Sequence, residues 1–229
     1  MFQTKKLGQH ERFDVSKAVL EQTGSTLKVI GVYLGWRENM FAKNNAQQFD
    51  IDSSIIPLAV QNSSPVWFGN PGSCEYTAAY FNNAFATVDP KDQTKKIFPN
   101  VDGSMVYYGD NRSGLNASSQ QDWCERTIIY LDKINPQIQQ LDSILTIDEA
   151  QAKRQTFGMI DNAFIRIINE ETGDVLVQYD VSTTASNDTA MQIAQIYRNT
   201  TGGWSIKGVG QGFEQGLVAF LSAYGAQAQ

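Results

Sequence analysis

The stretch with the clearest fold signal reads Asn162-Ala-Phe-Ile-Arg-Ile-Ile168, then Asn169-Glu-Glu-Thr-Gly-Asp174, then Val175-Leu-Val-Gln-Tyr179. Its first and last parts are rich in β-branched and aromatic residues, which are typical of strands. The middle part places a glycine among polar residues, as expected for the turn of a β-hairpin. The stretch therefore predicts two adjacent antiparallel strands.

Short apolar runs between turn residues predict further strands on both sides of this hairpin. They cover residues 27–36, the apolar part of 49–60, 76–85, 126–131, 143–147 and 204–209. Residues 191–198 are compatible with a strand or a helix. Helices are predicted over 136–141, with Asn135 as the cap, and over 212–224 at the end of the chain. Many short strands, few helices and no alternating β/α units indicate an all-β-dominated, antiparallel β-sandwich with a few short helices and a C-terminal helix.

Composition limits the domain count and the partners. A chain of 229 residues suits one domain over 1–229, and 41% hydrophobic residues can build its core. The net charge is -6 and no Lys/Arg cluster stands out, which argues against nucleic acid and favours a cation. Residues 1–13 do not resemble a secretory signal, and no apolar run reaches the roughly 18 residues of a membrane span. We therefore expect a soluble, cytoplasmic protein with no transmembrane segment.

Two acidic stretches could form a metal site. In Gly109-Asp-Asn-Arg-Ser-Gly114, two glycines bracket a carboxylate and an amide in a tight polar loop. In Phe49-Asp-Ile-Asp-Ser-Ser54, the two aspartates would project from the same face of a strand. Calcium takes about six to eight hard oxygen ligands, which such side chains supply. The candidate ligands are Asp50, Asp52, Asp110 and Asn111. A plainer interpretation stays open, in which the aspartate pair solvates a strand end and the loop only makes a turn.

A series of motifs also carries a family resemblance. In chain order they are Phe49-Asp-Ile-Asp-Ser-Ser54, Gly109-Asp-Asn-Arg-Ser-Gly114, Gln155-Thr-Phe-Gly158 with Asn162-Ala-Phe-Ile-Arg166, Tyr179-Asp180, and Trp204 through Gly208-Val-Gly-Gln-Gly212. Their order and spacing resemble the tellurium-resistance TerD family over nearly the whole chain. The resemblance implies a calcium-binding β-sandwich associated with tellurite resistance and stress responses, with no established catalytic activity.

The chain also departs from the family pattern. Arg37 stands where the family usually has an acid, and residues 115–121 replace the usual acidic run, with only Asp122 and Glu125 beyond it. We add Asp122 and Glu125 as further candidate ligands and leave open whether one calcium ion binds or two. Residues 62–72 and 87–98 look like inserted loops, and we expect protein partners to contact them.

The remaining reactive side chains offer little for catalysis. His10 is the sole histidine and lies in a polar stretch, so we expect it on the surface and outside any triad or zinc site. Cys74 and Cys124 are too few for a disulfide framework, although one bridge between them stays open. Since neither an activated nucleophile nor an acid/base pair can be named, we expect no enzyme.

Two further features have structural explanations. Gly208-Val-Gly-Gln-Gly212 lacks the lysine of a phosphate-binding loop, so we expect it to allow close strand-to-helix packing. Arg166 lies in an apolar strand, where we expect it to pair with Asp161 or Asp180.

Two functions remain. The first is a calcium-binding stress-response module that couples ion occupancy to binding a partner or a membrane surface. The alternative is a structural protein, a scaffold component of a larger assembly such as a virion, built on the same sandwich. Its inserted loops would then supply the contacts, with Lys91, Lys95 and Lys96 exposed on the second of them.

Overall fold

The computed structural model describes residues 2–37, 49–68, 78–80, 86–109, 111–112, 114–115, 122–160, 163–180 and 187–225. Its strands are β1 (Lys5–Lys6), β2 (Arg12–Asp14), β3 (Val29–Gly35), β4 (Ile51–Gln61), β5 (Ser64–Trp67), β6 (Thr87–Asp89), β7 (Asp92–Pro99), β8 (Met105–Tyr108), β9 (Glu125–Tyr130), β10 (Gln140–Ile147), β11 (Phe164–Asn169), β12 (Val175–Asp180), β13 (Ala190–Arg198) and β14 (Trp204–Phe213). Its helices are α1 (Val15–Thr23), α2 (Ala150–Lys153) and α3 (Gly216–Ala223), with a short 3-10 helix at Phe157–Met159.

The strands form two packed sheets. Sheet A has the order β1-β12-β11-β3-β9-β8-β7-β6, and sheet B has the order β2-β14-β13-β10-β4-β5. Among the described strands every pairing is antiparallel except that of β1 with β12. Fully buried residues of both sheets, such as Ile30, Leu141 and Ile193, form the main core. The predicted antiparallel β-sandwich with short helices and a C-terminal helix is confirmed.

The hairpin that set the fold prediction is formed by β11 and β12. Its turn closes with a 2.8 Å hydrogen bond from the Gly173 N–H to the Asn169 carbonyl, and Gly173 has φ 76°. The Asn169 side chain accepts from the Glu171 N–H at 3.0 Å, which fixes the start of the turn. Because β3 pairs with the other side of β11, this hairpin is part of sheet A.

The two segments predicted as irregular loops are largely strands where the structure describes them. Residues 62 and 63 make a two-residue turn, with φ 49° and 64°, that joins β4 to β5. Residues 87–98 form the β6–β7 hairpin at the edge of sheet A, because their ladder pairing outweighs the breaking effect of Pro90, which falls in the turn. Lys91, Lys95 and Lys96 are exposed on this hairpin, as predicted, although not on a loop.

Two local predictions are wrong, one open alternative is decided, and one predicted segment lies mostly outside the described residues. The expected helix over 136–141 is absent: the Asn135 side chain accepts from the Gln137 N–H at 2.9 Å, and this local turn leads directly into β10. Residues 191–198 are strand β13. The C-terminal helix begins only at Gly216, because residues 204–213 belong to β14. Of the predicted strand 76–85, residues 78–80 lie among the described residues and contribute an isolated bridge from Ala79 to Ile55.

The glycines of β14 serve contact between the sheets rather than strand-to-helix packing. A Cβ on Gly208 would lie 2.5 Å from the Gly8 carbonyl oxygen and 3.0 Å from the Tyr179 ring of sheet A, and a Cβ on Gly210 would collide with the Tyr179 hydroxyl. Helix α3 instead covers the outer face of sheet B, where Phe220 and Leu221 pack on a second apolar cluster with Ile56, Leu58, Trp67 and Ile144. Among the described residues, none of the helices has the length and apolar character that crossing a bilayer requires.

Candidate functional site

Glu125, the first residue of β9, links the two sheets at one end of the sandwich. Its side chain is completely buried, and Oε2 accepts the Ser53 N–H of β4 at 2.8 Å. The backbone of Ile55, two residues further along β4, pairs with Ala79 on that same side of the strand. Among the described residues, Glu125 therefore takes the place of a backbone partner and satisfies the buried Ser53 N–H.

The electrostatic surroundings of Glu125 are unfavourable for a negative charge. Burial raises its pKa well above the usual value, and the nearby charges of Asp52 and Asp50 raise the pKa further. Hydrogen bonding from the Tyr107 hydroxyl and the Ser53 N–H lowers the pKa only in part. Within the described chain, the second carboxylate oxygen, Oε1, is buried and has no hydrogen-bond partner.

Asp50 and Asp52 lie where the sequence predicted them, at the entry to β4. Asp52 is the second residue of the strand, opposite Thr146 of β10, and both aspartates are half-buried. The Asp50 carbonyl accepts the Asp148 N–H at 2.9 Å, which extends the β4–β10 pairing beyond the strand end. The two aspartates and Glu125 form what we call the carboxylate cluster.

The glycine-bracketed loop reaches this cluster through its first residue. Gly109 has φ 140°, and a Cβ there would come within 3.2 Å of the Glu125 Cα. Asn111 closes the loop, since its Oδ1 accepts the Gly114 N–H at 3.0 Å. The far end rests on Trp36, whose carbonyl accepts the Leu115 N–H at 2.7 Å. Asp110 itself lies outside the described residues.

Asp122 is engaged elsewhere. Its carboxylate, with 73% of the side chain exposed, forms an ion pair with Arg166 of β11. Arg166 also stacks on the ring of Phe164, with the guanidinium carbon 4.5 Å from the ring centroid. The expectation that Arg166 pairs with Asp180 is wrong, because that carboxylate instead accepts from the Gln178 side chain, while Asp161 lies outside the described residues.

The described residues do not form a metal site by themselves. Within them, no group of three or more His, Cys, Asp or Glu side chains is arranged to hold a metal ion. The donor chemistry nevertheless fits a hard cation, because a buried carboxylate keeps one unsatisfied oxygen while two further carboxylates act on it.

Sequence reasoning underrated Glu125 and missed the partners that hold it, Ser53 and Tyr107. A charged residue at the entry of an apolar strand is a weak signal by itself, and only pairing across the sandwich reveals its burial. Nothing in the sequence pointed to a role for Tyr107, because an aromatic residue in a strand usually packs in the hydrophobic core.

The other reactive residues are placed as follows. Cys124 is a buried free thiol that donates weakly to the Trp36 carbonyl at 3.6 Å, and burial raises its pKa to about 12. Cys74 lies outside the described residues. His10 is exposed, as predicted, on a turn where its φ is 63°.

The fold and site together define an antiparallel β-sandwich whose two sheets meet at a carboxylate cluster beside a glycine-bracketed loop. A family model described as the TerD domain matches residues 15–224. The chain belongs to the TerD family.

Relatives across bacteria support this assignment. The tellurium resistance protein TerD of an Alcaligenes species is 30% identical over 209 residues, covering 91% of this chain and 93% of that protein. General stress protein 16U of Bacillus subtilis (strain 168) is 30% identical over 215 residues, covering 92% and 94%. A crystal structure of a homologue of telluride resistance protein TerD, SCO6318 from Streptomyces coelicolor A3(2), shares the fold with a TM-score of 0.57. It is 18% identical and covers 88% of this chain and 99% of that one.

Proposed function

We propose that this protein is a calcium-binding module of the TerD family that contributes to tellurite or stress resistance by binding rather than by catalysis. The relatives named for tellurium resistance and general stress motivate the biological setting. The ligands would come from the carboxylate cluster and the glycine-bracketed loop. They are Asp50, Asp52, Glu125, Asp110 and Asn111.

The observation that carries this proposal is the state of Glu125. A fully buried carboxylate with one unsatisfied oxygen, beside two further acids, is costly unless a cation or a proton neutralises it. Calcium suits these donors because it accepts carboxylate, amide and carbonyl oxygens in a loose geometry. Bound there, the ion would supply positive charge and no chemical step.

The protein's own residues would couple the ion to both sheets. Glu125 belongs to sheet A and holds Ser53 of sheet B, so a ligand bound by this carboxylate acts on the junction itself. Gly109 packs directly against Glu125, and Asn111 braces the loop that follows. Ion binding would therefore set the position of the loop relative to β4, and a partner that recognises this loop would bind in a calcium-dependent way.

Asp122 would contribute to the site only by leaving its ion pair with Arg166. Arg37 is exposed beside this end of the sandwich, where the family usually has an acid. Both features favour a single calcium ion in this member over the two that the family resemblance allows.

The reactive side chains Cys124 and His10 are poorly placed for catalysis, which also favours a binding function. Cys124 has its pKa raised to about 12 by burial and is closed off from substrates, while His10 is exposed on a turn of the N-terminal segment. A thiol with such a pKa is a poor nucleophile.

Titration calorimetry with calcium tests the proposal. We expect measurable heat of binding for the wild type, and weaker binding for Asp110→Asn and Glu125→Gln. Asp132→Asn, on the exposed turn after β9, is the matched control and should bind as the wild type does. No heat of binding, together with equal melting temperatures in calcium and in chelator, would reject the site. A large ordered assembly in sedimentation velocity without calcium dependence would favour the scaffold alternative.

A further inference from the structure

A second buried carboxylate, independent of the proposed calcium site, lies beneath helix α3. Asp142 of β10 is completely buried on the outer face of sheet B, far along β10 from the strand end that meets Asp50. Its Oδ1 accepts the Gln140 side chain at 2.7 Å, and its Oδ2 accepts the Gln192 side chain at 2.7 Å. The Tyr224 hydroxyl, at the end of α3, lies close enough to affect the pKa of Asp142.

Helix α3 is attached in a way that lets it act as a cover over this carboxylate. It begins at Gly216, with φ 69°, after a cap residue that makes no side-chain hydrogen bond. Its other end is held by the Tyr224 carbonyl, which accepts the Trp67 N–H at 3.0 Å, and this places the Tyr224 hydroxyl near Asp142. Between these points Phe220 and Leu221 lie on the apolar cluster of sheet B. The helix thus has a glycine hinge at one end and lies near the buried carboxylate at the other.

The surroundings make the closed position sensitive to the charge of Asp142. The apolar cluster between α3 and sheet B contains Phe220 and Ile56. Ile56 is the register partner of Asp142 in β4. The titratable groups that act on Asp142 from the packed elements are Lys207 of β14 and Tyr224 of α3. Burial raises the pKa of Asp142 to about 7, and hydrogen bonding from Gln140 and the charge of Lys207 oppose this shift.

We infer that α3 is a proton-controlled cover: it stays closed while Asp142 is neutral, and it opens at Gly216 more often when Asp142 is ionised. The reason is that an open helix would return the carboxylate to water, where the charge is well solvated, whereas the closed helix keeps it buried, where the two glutamine amides replace only part of the lost solvation. Opening would expose the strip formed by Ile56, Leu58 and Ile144.

The sign of the pH dependence follows from proton linkage. The closed state binds the Asp142 proton more tightly than the open state, so closure is strongest below the ordinary pKa of an aspartate. Closure weakens as pH rises and levels off above about pH 7. One linked proton makes the opening constant rise by about tenfold per pH unit within that window.

Hydrogen exchange of the full-length protein tests this inference. We expect the protection factors of the Phe220 and Leu221 amides, which exclude the intrinsic pH dependence of exchange, to fall by roughly 50-fold between pH 5 and pH 7. Amides of the β11–β12 hairpin serve as the internal reference and should keep their protection. Constant protection of α3 over this range in the wild type would overturn the inference.

Two variants distinguish the effect of Asp142 ionisation from the effect of the Tyr224 contact. Asp142→Asn cannot ionise, and a reversed Gln192 amide can still pair with it, so its α3 protection should not depend on pH. Tyr224→Phe should lower α3 protection at every pH while keeping the wild-type slope. Asp132→Asn, which changes an exposed carboxylate, should match the wild type. If Asp142→Asn showed the same slope as the wild type, the proton would reside elsewhere and the inference would fail.

Discussion

The two fully buried carboxylates, Glu125 and Asp142, show what a negative charge needs inside this sandwich. Both are completely buried, and burial raises the pKa of each. Asp142 is surrounded by donors, with a glutamine amide on each oxygen. Glu125 has one backbone donor, an oxygen without a partner among the described residues, and acidic neighbours. Burial is the same in both places, so the neighbours decide what each group does: Glu125, beside two acids, suits a cation, whereas the donors around Asp142 offset part of the cost of its charge.

Removing the acceptor at Asp142 should have the largest effect on stability. Asp142→Ala would leave the Gln192 and Gln140 amides without their partner, at about 1–3 kcal/mol for each buried donor. We expect the free energy of unfolding in urea to fall by about 3–5 kcal/mol. Asp142→Asn should lose much less, because it keeps an acceptor. Equal losses in the two variants would show that the donors are satisfied without Asp142.

The next largest effect on stability should come from calcium, to which Glu125 and Asp142 should contribute differently. At a free concentration about 100 times the dissociation constant, binding should raise the free energy of unfolding by roughly 2.7 kcal/mol. Glu125→Gln should lose most of this gain yet be at least as stable as the wild type in chelator, because its amide oxygen can still accept the Ser53 N–H. Asp142→Asn should keep the full calcium response. A normal response in Glu125→Gln would remove this residue from the ligand set.

The pH dependence of the free energy of unfolding should also distinguish Glu125 from Asp142. Each has a folded-state pKa above its ordinary value, so each stabilises the protein at low pH and less as pH rises, for Asp142 up to about pH 7. In chelator we expect the free energy of unfolding to fall between pH 5 and pH 7, by at most about 1.4 kcal/mol per pH unit for each group. Saturating calcium should remove the part of this pH dependence that comes from Glu125, and Asp142→Asn should remove the part that comes from Asp142. Urea titrations across this range measure both, and a slope unaffected by either change would contradict the comparison.

The smallest effect is expected at Asp122. Its ion pair with Arg166 is largely exposed, so Asp122→Asn should change the free energy of unfolding by no more than about 0.5 kcal/mol. Calcium affinity should also stay within error, because this carboxylate points to Arg166 rather than to Glu125. A clear loss of calcium binding in calorimetry would return Asp122 to the ligand set and make two ions plausible.

Local sequence patterns predicted most of the fold. Strand β3, the β11–β12 hairpin and strand β14 are marked by β-branched and aromatic runs between turn residues, and these signals depend on few neighbours. The failures arose where tertiary pairing overrode local signals. Residues 87–98 contain Pro90 and several lysines, yet they form a hairpin because β8 offers a partner. The predicted helix after Asn135 lost to a side-chain turn and to the pairing of β10 with β4 and β13.

The sequence by itself determined the family, the sandwich and the types of side chain available for a cation, because motif order and strand periodicity are properties of the chain alone. Only the tertiary structure decided which acidic side chains are buried and which groups surround them. Glu125 and Asp142 each sit in an apolar strand and look alike in sequence, but one faces Ser53 and two aspartates and the other faces two glutamines beneath α3. The energy of a buried charge depends on groups within a few ångströms, and in a sandwich most of these groups come from distant parts of the chain.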